Sequence, residues 1–219
     1  MSNKIRIMNG EYFTEIHFDL ESHKNEFTKN KSLPKDPKRV TWDFSNLKLH
    51  GKILDIGGCG EAIISRLNLN DLTIIDLKPS KRFDRFKSIK YISMNATNMT
   101  FRSEEFNLVT SFFTFMYMKS DDIIKTLYNI HNVLKDDGEL IFWDVNLEEQ
   151  VSSENKIIIS LEAIVNENTF NADYGSGLFN EEVIRNLSYY ENILEKTSFK
   201  IKRIEFEKNT IMVVAQKKI

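Results

Sequence analysis

The chain has 219 residues, of which 41% are apolar and 28% charged, values that exclude a disordered chain, a collagen-like repeat and a disulfide scaffold. Its 30 basic residues are balanced by 32 acidic ones, for a net charge of −2, so nucleic acid is not an expected partner. The single cysteine, Cys59, forbids an intrachain disulfide and predicts a reducing, cytoplasmic setting. No apolar run reaches the ~20 residues of a membrane span, and Met1 to Asn9 lack a signal-peptide core, so no membrane partner is expected.

In chain order, residues 1–50 read as a polar lead-in with short aromatic stretches at Tyr12–Phe13 and Trp42–Phe44, separated by the helix breakers Pro34 and Pro37. Lys52 to Ile56 is a β-type run that ends at a glycine cluster, Gly57, Gly58 and Gly60. Only eight glycines occur in the chain, so the cluster needs a local cause. Glu61 to Leu67 reads as a helix. Leu72 to Ile75 is a second strand, closed by Asp76 and Pro79; Ile89 to Ser93 is a third and Phe106 to Ser111 a fourth.

Asp121 to Leu134 is a predicted helix, with Ile123, Leu127, Ile130 and Leu134 on one face and Ser120 as its expected cap. Asp136-Asp137-Gly138 then turns the chain into a fifth strand, Leu140 to Trp143. Asn180 to Thr197 reads as a last helix. It is followed by Phe199–Phe206, the turn Lys208-Asn209, and Ile211–Ala215, which must pair antiparallel across so short a connection.

Strands alternating with helices predict an α/β fold, a Rossmann-like, mainly parallel sheet with one reversed strand near its C-terminal edge and helices on both faces. Residues 146–179 interrupt the alternation and read as an insertion or lid. We expect one domain over 1–219, with 1–48 and 146–179 as capping segments that build a substrate pocket.

The glycine turn lies where ligands bind in open α/β sheets, outside the carboxyl ends of the strands. Asp76, at the end of strand two, is placed to accept hydrogen bonds from ribose hydroxyls. Together they imply a nucleoside-containing cofactor. A dinucleotide fingerprint fails, because the third glycine of a frame starting at Gly58 would be Ile63. Asp55 also sets a negative charge before the turn, unsuited to a pyrophosphate and suited to a ligand with an ammonium group.

Ile53-Leu54-Asp55-Ile56-Gly57-Gly58-Cys59-Gly60-Glu61, the acid Asp76 and the tract from Phe101 to Leu140 resemble the class I S-adenosylmethionine-dependent methyltransferases, in particular the type 11 small-molecule group. The likeness spans about residues 50–145 and extends to the C-terminal hairpin. It implies a seven-stranded methyltransferase fold, S-adenosyl-L-methionine as cofactor and a small-molecule methyl acceptor. It implies further that Asp55 and the turn backbone (Gly57, Gly58, Cys59, Gly60) face the methionine part, that Asp76 binds the ribose, and that Asn95 with Ala96 contacts the adenine. Leu77, Ser111 and Phe112 complete the implied cofactor set. Asn95 stands where the family has an acid, and the family often carries further glycines where Cys59 and Glu61 stand.

On the substrate side, Tyr117 is a candidate contact or a core aromatic, and Asp144 a candidate ligand or a helix cap. No catalytic residue is assigned. His17, His23, His50 and His131 make no metal-type pair, so no metal is expected. The basic stretch from Lys78 to Lys90 reads as a solvated face; an RNA methyltransferase and a non-catalytic binding module of the same fold remain the alternatives.

Overall fold

A computed structural model describes residues 39–58, 62–67, 69–78, 89–149, 158–175 and 183–219, together with the backbone of 4–9 and 12–17. The chain divides into two compact units, Met1–Asp36 and Pro37–Ile219. In the first, β1 (Lys4–Asn9) and β2 (Tyr12–His17) form an antiparallel hairpin in which Lys4 pairs with His17 and Asn9 with Tyr12.

The second unit is built on a seven-stranded sheet. Its strands are β4 (Ile53–Ile56), β5 (Leu72–Asp76), β6 (Ile89–Ser93), β7 (Phe106–Phe112), β8 (Leu134–Val145), β11 (Phe199–Glu207) and β12 (Thr210–Lys217). Their order across the sheet is β11-β12-β8-β7-β4-β5-β6. All neighbours from β6 to β8 are parallel, and β12 is antiparallel to both β8 and β11. This is the mainly parallel sheet with one reversed strand that the sequence predicts. The reversal follows from the two-residue turn at Lys208-Asn209, which leaves β12 no other direction.

Three predicted elements differ in detail. Helix α1 is Ser120–Val133, but Ser120 lies inside it; Lys119 occupies the cap position without a side-chain bond, while Asp121 and Asp122 fill the first turn, the favourable end of the dipole. Beyond it, β8 begins at once, and its pairing with β7 jumps from Phe106↔Leu134 to Leu108↔Glu139, so residues 135–138 bulge out where a turn is expected. Helix α2 is Leu187–Lys196, shorter than the predicted 180–197. Asn186 ends it on the N-terminal side by taking an extended conformation and accepting the Tyr189 N–H at 3.1 Å.

The larger departure concerns what covers the sheet. One face packs on helices: Ile123, Leu127 and Ile130 of α1 and Tyr190, Ile193 and Leu194 of α2 join Leu54, Val109, Phe142 and Val213 in one core. The other face, among the described residues, packs on a second sheet instead of helices. Its strands are β3 (Val40–Asp43), β9 (Ile158–Val165) and β10 (Asn168–Gly175), in the order β10-β9-β3. β3 runs parallel to β9, from Val40↔Leu161 to Asp43↔Ile164, and β9 and β10 form a hairpin closed by Asn166 and Glu167, both at positive φ. β9 alternates strictly, and Ile159, Leu161, Ala163 and Val165 point into the core with Val40, Trp42 and Phe44. An apolar strand run demands an apolar layer on each face, and a three-stranded sheet supplies it as well as a helix does. Val40–Asp43 and the β9–β10 hairpin of the insertion thus form one cap. No helix among the described residues is long and apolar enough to cross a membrane.

Candidate functional site

At the carboxyl ends of β4, β5 and β7 lies a cleft of about 660 Å³, within the range of about 300–1,000 Å³ typical of small-ligand sites. Asp55, Gly57, Gly58, Asp76, Leu77, Asn95, Ala96, Phe112 and Tyr117 all line it. Cys59 and Gly60 lie outside the described residues, as does Glu61. Ser111 and Asp144 do not line the cleft.

The glycine turn has a mechanical explanation. Gly57 sits at φ +76°, and a Cβ there would fall 2.2 Å from Thr114 Oγ1, whose hydroxyl donates to the Ile56 carbonyl at 3.0 Å. Gly58 has no unusual φ, but a Cβ there would fall 2.2 Å from Asp55 Oδ2. The absent side chains make room for the protein's own groups. The helix expected over Glu61–Leu67 is a single tight helical turn, Ile64–Leu67, because Ala62 takes a left-handed φ of 56° and Ile63 and Ile64 sink into the core beneath the cap.

Asp55 is buried, and the Thr110 hydroxyl donates to its Oδ1 at 2.7 Å. Burial pushes its carboxyl up to about 7; the Thr110 bond opposes the rise and the nearby Asp76 adds to it. Asp76 ends β5, and its Oδ1 accepts the Lys78 N–H at 3.0 Å in a local turn that aims the carboxylate out of the strand. Leu77 beside it is 64% exposed, an apolar surface at the cleft edge. Asn95 caps the short turn Ala96–Asn98, its amide oxygen accepting the Thr97 N–H at 2.9 Å, with a second lone pair left for a ligand.

The rest of the wall comes from the segment after β7, which adjoins the glycine turn through Thr114, and from the cap. Phe113 stacks on Tyr174 of β10 at 4.9 Å, and Phe112 meets the same ring edge-on at 6.0 Å. Tyr117 is about half exposed (47%), with its phenol turned toward the protein beside the Gly175 backbone. Burial of the phenol and the charge of Asp144 push Tyr117 up to about 12. Asp144, expected at the substrate rim, is instead fully buried behind this wall. Its Oδ2 accepts the Met116 N–H at 3.0 Å, and its Oδ1 accepts the Val145 N–H at 2.8 Å and the Tyr190 hydroxyl at 3.2 Å. Ser111 is buried one position before the cleft wall.

Tyr174, Thr114 and Met118 also line the cleft and were not among the residues expected there. Tyr174 had a legible signal: the alternation from Ile159 to Val165, the turn residues Asn166-Glu167 and a second run of equal length predict a hairpin with aromatic residues on one face.

The donor set fits a cationic nucleoside ligand. Asp55 and Asp76 bring two carboxylates to the cleft, Asp76 with Leu77 pairs an acceptor for hydroxyls with an apolar surface for a base, and only a one-turn helix follows among the described residues, so the strong dipole that favours a pyrophosphate is lacking. Residues 54–142 match the type 11 methyltransferase domain family. The 1,6-didemethyltoxoflavin-N1-methyltransferase of Burkholderia thailandensis, solved with 1,6-didemethyltoxoflavin and S-adenosylhomocysteine, superposes with a TM-score of 0.53 at 12% identity, over 83% of this chain and 72% of that one. An S-adenosylmethionine-dependent methyltransferase from Aquifex aeolicus gives 0.54 at 17% identity, over 91% and 89%. The [4+2]-cyclase SpnF gives 0.56 at 14% identity, over 80% and 78%. No curated protein matches the sequence. The fold is that of the class I methyltransferases, and the match over residues 54–142 supports a methyltransferase that uses S-adenosylmethionine as cofactor.

Proposed function

We propose that the protein methylates a small molecule bound between the glycine turn and the cap. The observation that carries this reading is the cap itself: Asp173 and Tyr174 of β10 line the same cleft as the glycine turn, Asp76 and Tyr117, and the cleft has the size of a small-ligand site. The 1,6-didemethyltoxoflavin bound to the Burkholderia neighbour, a small molecule, supports the same class of acceptor. In this reading residues 1–219 act as one domain, with 1–48 and 146–179 as its capping segments.

The cofactor, when bound, supplies a methyl group on a cationic sulfur. Asp55 and the backbone of Gly57, Gly58, Cys59 and Gly60 hold its amino-acid end, Asp76 its ribose, and Leu77, Asn95, Ala96 and Phe112 its base, with Ser111 behind Phe112. The chain's task is then to exclude water and hold the acceptor atom in line. Tyr117 contacts the acceptor as a hydrogen-bond donor, because its phenol stays protonated. No histidine lines the cleft among the described residues, and the reading favours acceptors that are nucleophilic without deprotonation, such as amines.

The test is incubation with methyl-labelled S-adenosylmethionine and two fractions of a cell extract, one of small molecules and one of RNA. Label is expected in the small-molecule fraction. Label confined to RNA overturns the acceptor class, and no transfer to either, by protein that binds S-adenosylhomocysteine, favours a binding module.

A further inference from the structure

The cleft wall that carries Thr114, Tyr117 and Met118 is one helical turn, Phe115–Tyr117, between β7 and α1. Two buried, oppositely charged side chains grip this turn from behind. Arg185, just before α2, donates from Nη1 to the Phe115 carbonyl at 2.7 Å and from Nη2 to the Met118 carbonyl at 2.6 Å. Asp144 takes the intervening Met116 N–H on Oδ2 and anchors its other oxygen on the Val145 N–H and the Tyr190 hydroxyl. The guanidinium also lies over the Tyr189 ring at 5.3 Å, and the Tyr189 hydroxyl donates to Ser120 at the start of α1. Arg185 is 7% exposed and Asp144 fully buried, and neither lines the cleft.

Desolvating two charges is costly, and an apolar pair would hold α2 to the sheet at least as well. What apolar groups cannot do is specify the positions of two carbonyls and an N–H on one turn. The guanidinium fork matches the two carbonyls in a geometry that no other side chain offers. We propose that Arg185 and Asp144 are positioning residues of the methyltransferase site: they fix the 114–118 wall from outside the cleft and thereby set the affinity of the ligands that touch it. The proposal rests on the cleft being the cofactor and acceptor site.

The experiment compares Arg185→Gln, Arg185→Lys, Asp144→Asn and, as a stability control, Leu194→Ala, a core position of α2 remote from the turn's hydrogen bonds. S-adenosylhomocysteine affinity is read well below each variant's melting temperature, and amide exchange of the 113–119 region is read without ligand. Arg185→Gln and Asp144→Asn are expected to weaken binding about tenfold. Leu194→Ala should leave affinity within about twofold even at a comparable loss of melting temperature. Arg185→Lys keeps a donor for one carbonyl, is the variant most certain to fold, and should fall between them. Exchange at Met116 and Met118 should quicken in the Arg185 variants and not in Leu194→Ala. Equal losses in Leu194→Ala and Arg185→Gln, or unchanged affinity in all Arg185 variants, overturn the proposal. If the wild type does not bind S-adenosylhomocysteine, the cofactor reading fails, and the exchange data alone decide whether the clamp holds the turn.

Discussion

The Asp55 carboxylate occupies the space where a side chain on Gly58 would stand, with Oδ2 only 2.2 Å from the position of a Cβ. The glycine of the turn and the acid of the preceding strand are therefore one steric unit. Gly58→Ala should destabilise the protein by about 1–3 kcal/mol in urea unfolding, through crowding alone, since its φ is ordinary. Combined with Asp55→Ala, the loss should be smaller than the sum of the two, because the clash with the carboxylate vanishes and only the contact with Ile74 at 2.9 Å remains. Strict additivity would separate the two residues.

Asp55 also gives the protein an unusual pH signature. Its carboxyl is raised by burial to about 7 in the folded state, against 3.8 as the ordinary value. Between these values the folded state keeps a proton that the unfolded state has lost. Stability is therefore greatest below about pH 4 from this group, falls by up to about 1.4 kcal/mol per pH unit as pH rises, and levels off above about 7. Asp144, pushed up to about 6 by burial, acts in the same direction over a narrower window. Chemical unfolding of Asp55→Asn across pH 5 to 8 should show a flatter profile than the wild type. Binding of the cationic cofactor should strengthen as pH rises through 7, where Asp55 becomes charged.

Asp76→Asn preserves the acceptor for the Lys78 N–H and removes the charge. Melting temperature should barely change, while S-adenosylhomocysteine affinity drops roughly ten- to hundredfold, as expected for loss of a charged hydrogen-bond acceptor. Unchanged affinity in calorimetry removes Asp76 from the ribose role.

Phe44 ties the cap to the main sheet through Phe112 at 5.5 Å and Trp143 at 5.2 Å, and its N–H donates to the Ile164 carbonyl. Phe44→Ala should cost about 3–5 kcal/mol in urea unfolding and change the near-ultraviolet signal of Trp143. A cap that contributes little to the core would show neither.

Much of the main sheet was legible because its signals are local: Gly57 and Gly58 follow directly on the strand that carries Asp55, Asp76 ends its own strand, and Lys208-Asn209 dictates the reversed β12. The cap was not, because β3 is only Val40–Asp43 and its partner Leu161 lies beyond most of the sheet in sequence; nothing within four residues encodes a parallel neighbour so far away. Asp144 was misplaced for a related reason. Its position at the end of β8 reads as the site rim, but Arg185 and Tyr190, which draw it inward, come from α2 and its approach. The aromatic run from Phe112 to Tyr117 was visible as a cluster, while its division into buried Phe113 and exposed Tyr117 depends on β10.

The parallel pairing of β3 with β9 also orders events during synthesis. Val40 to Asp43 leave the ribosome before any of the main sheet, yet their hydrogen-bonding partner Leu161–Ile164 emerges only after β8 is complete. The glycine turn and Asp76 can therefore assemble while the cap is still unmade and the apolar face beneath it is bare. Until then Trp42 and Phe44 lack their partners on β9, so closing the roof over the cleft is a long-range step, and a chain stalled before it leaves that apolar surface bare.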